Sequence, residues 1–102
     1  MIGATFPPGS MTGAPKIRSV ELLAELEDGN PRGYYSGAIG HLCSGGRLDL
    51  SVVIRAVVDD GATMSYGVGG AVTVLSHPGE EYRELLAKSA SLATALGCAL
   101  PR

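Results

Sequence analysis

The 102 residues read as an α+β fold in the order α-β-β-β-α, an antiparallel sheet with flanking helices. Three observations predict it. Apolar residues recur at helical spacing in two segments, at Ile17, Val20, Leu23 and Ala24, and at Tyr82, Leu85, Leu86, Ser89, Ala93 and Leu96. Between them, positions 48–58 alternate apolar and polar with the period of a strand. Turn signals at Ser44-Gly45-Gly46 and Asp59-Asp60-Gly61 divide this middle region into three strands joined as antiparallel hairpins.

Residues 1–12 are expected to form an extended opening loop, because Phe6-Pro7-Pro8-Gly9 disfavours helix. The first helix is expected from Gly13 to Asp28, with Thr12 as N-cap and Pro15 in the first turn, where a missing N–H costs little. Leu26 broadens its apolar stripe, and Gly29 and Pro31 stop it. The strands are expected at Gly33–Cys43, Arg47–Asp59 and Thr63–Leu75. The last helix starts at His77-Pro78 and runs to Leu96, ended by Gly97.

Composition narrows the function. Hydrophobic residues make up 45% and charged residues 18%, a globular balance. The net charge of -2, with eight Lys and Arg spread thinly, argues against nucleic acid, which needs a clustered basic face. No apolar run approaches the roughly 18–20 residues of a membrane span, and the first residues lack the pattern of a signal peptide. A cytoplasmic location is the resulting expectation. Cys43 and Cys98 are too far apart to form a metal motif or a disulfide framework and read as buried or half-buried cytosolic thiols.

In the second strand the even positions Leu48, Leu50, Val52, Ile54, Ala56 and Val58 are apolar, while Arg47, Asp49, Ser51 and Arg55 are polar. A three-residue turn at 44–46 then pairs Leu42 with Leu48, Gly40 with Leu50 and Ala38 with Val52 on the apolar face. The other face pairs His41 with Asp49 and Tyr35 with Arg55. A phenol beside a guanidinium can donate to a carboxylate, although an ordinary solvated cross-strand pair fits the pattern too. His41 opposite Asp49 reads as a surface pair.

On the last helix Glu81, Glu84 and Lys88 project from one side. Two carboxylates there suit a hard cation such as Mg²⁺, and Lys88 suits the anion it holds. A plain surface ion pair between Glu84 and Lys88 is the simpler alternative. Ahead of the helix, Gly67-Val68-Gly69-Gly70-Ala71 lets backbone N–H groups meet an anion unobstructed. It is neither a Rossmann fingerprint nor a P-loop.

FPPGSMTGAPK, RGYYSGAIG, DLSVVIRAVV, YGVGGAVTVLS and PGEEYRELLAKS, in this order and spacing, resemble the C-terminal part of the chorismate-utilising enzymes. That group includes the anthranilate and aminodeoxychorismate synthases (component I) and the isochorismate and salicylate synthases. The resemblance runs from Phe6 to Leu96 and implies a single unit, residues 1–102, cut from a larger chorismate-binding domain. It implies that Tyr35 and Arg55 contact a substrate carboxylate, that the backbone at Gly69 and Gly70 approaches the substrate, and that Lys88 lies near a bound carboxylate. It also implies that Glu81 and Glu84 bind Mg²⁺. Ala71, Leu75 and Ala56 depart from the usual pattern, which has a third glycine, an aspartate, and Thr or Ser there.

The resemblance further implies that upstream sequence supplies more Mg²⁺-binding glutamates, a histidine near the substrate ring and the groups that choose the reaction. No catalytic residue is therefore assigned within the chain, and it is expected to be inactive alone. GSMTGAPK with GAIG fits the amino-transferring synthases, whose ammonia comes from a glutamine amidotransferase subunit or domain. The GGAVTVLS style leans towards aminodeoxychorismate synthase, on the route to p-aminobenzoate and folate, ahead of anthranilate synthase. A non-catalytic binding module of the same fold, self-associating through an exposed apolar face, is the reading from a different class.

Overall fold

The structure, a computed structural model, describes residues 2–99. It is a mixture of helices and small antiparallel sheets, as expected for α+β. Its elements are α1 (Ile2–Thr5), α2 (Gly9–Thr12), α3 (Lys16–Leu26), β1 (Ala38–Leu42), β2 (Leu48–Val52), β3 (Val57–Asp59), β4 (Met64–Tyr66) and α4 (Pro78–Leu96). Residue contacts group the chain into two compact units, one running to Gly67 and one starting at Val68. No helix among the described residues is long and apolar enough to cross a membrane.

The opening segment is not extended. Phe6 N–H reaches the Ile2 carbonyl at 3.0 Å, closing α1, and Gly13 N–H reaches Gly9 at 2.7 Å, closing α2. The prolines limit these helices to single turns, since neither can donate into a longer ladder. The first long helix starts at Lys16, not Gly13. Gly13 has φ 105° and ψ -178°, a conformation that cannot continue a helix, and Pro15 (ψ 142°) takes the N-cap position. The Thr12 hydroxyl, expected to cap α3, instead donates back to the Pro8 carbonyl at 3.4 Å.

The predicted stop is sound in kind. Asp28 (φ 54°) and Gly29 (φ 67°) turn left-handed, and their N–H groups return to Glu25 and Ala24 at 3.2 and 2.8 Å. This Schellman arrangement satisfies carbonyls that the helix end would leave unpaired.

The hairpin has the predicted register, with Ala38, Gly40, His41 and Leu42 opposite Val52, Leu50, Asp49 and Leu48. Its three-residue turn closes through Cys43 N–H to Arg47 O at 2.8 Å, with Gly46 left-handed at φ 82°. Gly40 has a steric reason to be glycine, because a Cβ there would run into the Asp49 carbonyl oxygen.

All three strand lengths need correction. The first strand, expected from Gly33, begins only at Ala38, because residues 33–36 form a turn in which Gly33 (φ 64°) and Ser36 (φ 69°) are left-handed. The second strand breaks at 53–56 because Ser36 (φ 69°) and Arg55 (φ 51°) leave extended conformation on either side of the last cross-bonds, Ser36 N–H to Val53 O and Val53 N–H to Gly37 O. β3 then pairs with β4 as a separate two-stranded sheet. The third strand ends at Tyr66 rather than Leu75. Glycines 67, 69 and 70 bring no side chain to a ladder, so a strand through them needs a neighbour to hold it.

α4 matches its expected bounds. Pro78 opens it, Glu80 and Glu81 lie in its first turn, and Gly97 ends it at φ 67° with Cys98 N–H returning to Ala93 O at 2.9 Å. The predicted apolar core does not close. Among the described residues no hydrophobic side chain is buried, while Ser36 (4% exposed) and Ser89 (9%) are. Ile17 and Leu26 of the α3 stripe are 79% exposed, and Leu42 of the hairpin is 71% exposed. Cys43, at the hairpin turn, and Cys98, just past the end of α4, are exposed rather than buried or half-buried.

The loop between β3 and β4 is organised by Asp60, whose carboxylate accepts N–H bonds from Ala62 at 2.9 Å and Thr63 at 2.8 Å. The Thr63 and Ala62 N–H groups lower its pKa below the ordinary aspartate value of 3.8. A lowered folded-state pKa stabilises the hairpin above the ordinary value, and that contribution is lost as pH falls through the folded value. Amide exchange at Val58 and Ser65, which face each other in the ladder one bonded pair beyond Asp60 and Thr63, should therefore accelerate, beyond the intrinsic pH effect, on acidification below about pH 4. Asp60→Asn should flatten that acid dependence; an unchanged acid profile in the variant would rule the carboxylate out.

Candidate functional site

The unit running to Gly67 holds Tyr35 and Arg55. Tyr35 lies on the turn at 33–36 that leads into β1, and its ring is half-buried. The Arg32 guanidinium carbon stands 5.8 Å from the ring centroid, within cation–π range. On another side the ring abuts Gly67, where a Cβ would collide with it. Arg55 lies exposed in the 53–56 break with a left-handed backbone. The hairpin ladder ends before reaching these two residues, so the predicted cross-strand pairing of Tyr35 with Arg55 does not form. His41 and Asp49 do pair in register, and both are exposed as a surface pair would be.

Beneath Tyr35 is a cluster that the residue pattern alone did not predict. Arg32 Nε donates to both Glu27 carboxylate oxygens at 3.0 Å, and Nη2 donates to Oε1 at 2.6 Å. Nη1 donates to the Met11 carbonyl and to Ser36 Oγ, each at 2.9 Å. The hydrogen bonds from Arg32 hold the Glu27 carboxyl below its usual pKa, and the same bonds raise that of Arg32. A cavity of about 320 Å³ opens beside this cluster, walled by Val20, Leu23 and Ala24 of α3 and by Arg32, Tyr35 and Ser36. The signal present in the sequence is a helix stop, Asp28-Gly29-Asn30-Pro31, between opposite charges five residues apart.

The unit starting at Val68 gathers Gly69, Gly70, Glu81, Glu84 and Lys88. Regular α4 geometry sets Glu81, Glu84 and Lys88 along one side. Lys88 Nζ pairs with Glu84 Oε1 at 2.6 Å and donates to the Gly69 carbonyl at 3.4 Å. A Cβ at Gly70 would lie 3.3 Å from Glu81 Oε2, so the absence of a side chain lets this backbone rest against the carboxylate. The five residues named from sequence are thus brought together around one helix stripe.

The donor set suits a hard cation in type, being carboxylate oxygen, but is short in number. Among the described residues no group of three or more His, Cys, Asp or Glu is placed to hold a metal. Glu81 and Glu84 supply part of a coordination sphere, and Glu84 is engaged by Lys88.

A sequence model of the family described as chorismate binding enzyme matches residues 1–94. Over 100 residues the chain is 53% identical to a protein named aminodeoxychorismate synthase from Streptomyces griseus, covering 98% of this chain and 14% of that protein. It is 47% identical over 95 residues to the chloroplastic aminodeoxychorismate synthase of Arabidopsis thaliana, covering 93% of this chain and 10% of the relative. Anthranilate synthase component 1 of Spirochaeta aurantia is 40% identical over 94 residues, 92% of this chain and 19% of that protein. The chain therefore spans only a small fraction of the length of these relatives.

The Glu84–Lys88 pair is partly exposed, with side-chain accessibilities of 56% and 35%. A pair of this kind is worth about 0.3–0.5 kcal/mol. Glu84→Gln should lower stability in chemical denaturation by no more than that. A loss above about 1 kcal/mol would make the pair a structural element instead of a set of available ligands.

Proposed function

The chain belongs to the chorismate binding enzyme family, and on that premise we propose that it is a C-terminal segment of an Mg²⁺-dependent aminodeoxychorismate synthase component I. The proposed reaction converts chorismate and ammonia to 4-amino-4-deoxychorismate and water, supplying p-aminobenzoate for folate synthesis in the cytoplasm. The supporting observation is the grouping of Glu81, Glu84 and Lys88 with the Gly69–Gly70 backbone, in a chain 53% identical to an aminodeoxychorismate synthase. Anthranilate synthase component I is the second reading, supported by the 40% identity to that enzyme.

In this reading each residue has a physical task. Glu81 and Glu84 hold Mg²⁺, which when bound supplies positive charge against a ring carboxylate. Lys88 leaves Glu84 and donates to the substrate carboxylate, using an ammonium already aimed along the helix stripe. Backbone at Gly69 and Gly70 approaches the substrate closely because no Cβ intervenes. The Tyr35 phenol and Arg55 guanidinium donate to the pyruvyl carboxylate, fixing the orientation in which the amine enters and the C4 hydroxyl leaves. The ammonia comes from a glutamine amidotransferase partner.

Further sequence completes the metal ligands and chooses the nucleophile, so the chain alone is inactive. Bare apolar side chains support this part of the reading: Val72 is 82% exposed, Leu75 92% and Val74 100%. Covering them is worth about 25 cal/mol per Å². In a self-associating module of the same fold, a second copy would cover them instead.

Calorimetric titration of chorismate into the chain, with and without Mg²⁺, tests the reading alongside sedimentation. Binding that requires Mg²⁺ and disappears in Glu81→Gln is the expected result. A stable dimer that binds no chorismate would favour the module. Consumption of chorismate by the purified chain would refute its inactivity.

A further inference from the structure

Arg32 lies outside every role assigned so far, yet it is among the most heavily bonded side chains described. Its fork reaches three segments: the carbonyl of Met11 in α2, the carboxylate of Glu27 at the end of α3, and the hydroxyl of Ser36 before β1. Ser36 is 4% exposed and holds a left-handed backbone at φ 69°, a conformation uncommon for a residue with a Cβ. Its N–H is bonded to Val53 O at 3.1 Å, so both its side chain and its backbone are fixed. Tyr35 immediately precedes it, with the Arg32 guanidinium over one part of its ring and Gly67 against another.

We propose that Arg32, braced by Glu27, is a positioning residue that fixes where the Tyr35 side chain points. The guanidinium acts on Tyr35 twice, through the Ser36 backbone that sets the ring's origin and through direct contact with the ring. Only a planar fork can serve Glu27, Met11 and Ser36 together; a lysine keeps the charge and loses that geometry. Four of the five Arg32 N–H donors are taken up by Glu27, Met11 and Ser36, which fits a positioning role better than that of a substrate ligand. Any consequence for chorismate rests on the role proposed for Tyr35.

The test uses the chain in solution, with the ring signals of its four tyrosines separated by comparison with Tyr35→Phe. In the parent, the Tyr35 ring should show a nuclear Overhauser contact to Gly67. In Arg32→Lys that contact should weaken and the ring signal should move, and guanidinium added to Arg32→Ala should restore both. Ser36→Ala, which removes one acceptor and leaves the Arg32–Glu27 pair intact, provides the same readout should the arginine variants unfold. An unmoved ring with an intact Gly67 contact in folded variants would overturn the proposal.

Chorismate affinity then separates this proposal from the reading beneath it. Both Tyr35→Phe and Arg32→Lys should weaken binding, on the order of tenfold, the scale expected of a misplaced orienting group. A displaced ring in Arg32→Lys with full affinity in Tyr35→Phe would sink the role of Tyr35 and keep the positioning by Arg32. Weak binding by Tyr35→Phe with an undisturbed ring in Arg32→Lys would sink the positioning and keep the role of Tyr35.

Discussion

One guanidinium joins three separate pieces of chain. Arg32 ties α2 and the end of α3 to the turn preceding β1, and its partners differ in kind: a backbone carbonyl, a carboxylate and a hydroxyl. Few other contacts could do this work, since no hydrophobic side chain among the described residues is buried. The bonds to the charged partner are short, and charge-assisted bonds of that kind are roughly twice as strong as neutral ones. The segment on the C-terminal side of Arg32 inherits this anchoring. Ser36 is fixed by it, Ser36 and Gly37 bond with Val53, and those bonds mark where the β1–β2 ladder ends.

The parts legible in the sequence were those set by local periodicity. Alternation along 48–58 and a three-residue turn were enough for the hairpin register, because slipping by one residue would exchange the two faces. Pro78, Gly97 and the spacing of Glu81, Glu84 and Lys88 were enough for α4 and its stripe, because an α-helix has one geometry. The parts that were not legible depend on backbone angles or on neighbours. Alternation specifies faces but not continuity, so the break at 53–56 left no trace in it. The strand expected to reach Leu75 runs into three glycines after Tyr66 and, among the described residues, has no ladder partner beyond it. In the sequence Arg32 is one of eight scattered cations; only its bonds to three separate segments set it apart.

The helix stripe shows how weak contacts keep a set of charged groups ordered. Lys88 is held by Glu84 and by the Gly69 carbonyl, two acceptors that make no permanent claim on an ammonium. The charge is therefore aimed without being neutralised beyond recovery, as partly exposed pairs are weak. Glycine at 70 serves the same end, since a single methyl there would press on the Glu81 carboxylate. The physics of these placements stands independently of any role in binding.

The inverted interior has a thermodynamic signature. The most buried described residue is Ser36, a polar one, while Val74 is wholly exposed. Among the described residues apolar side chains such as Leu23, Val52 and Leu85 are only half-buried. Unfolding therefore uncovers less apolar surface than a closed core would hide, and the heat-capacity increment of unfolding is set mainly by that surface. A smaller increment of that kind goes with a flatter stability curve and a weaker dependence on denaturant than a closed apolar core gives. Cooperative melting would then be a property the polypeptide acquires only together with whatever covers those side chains.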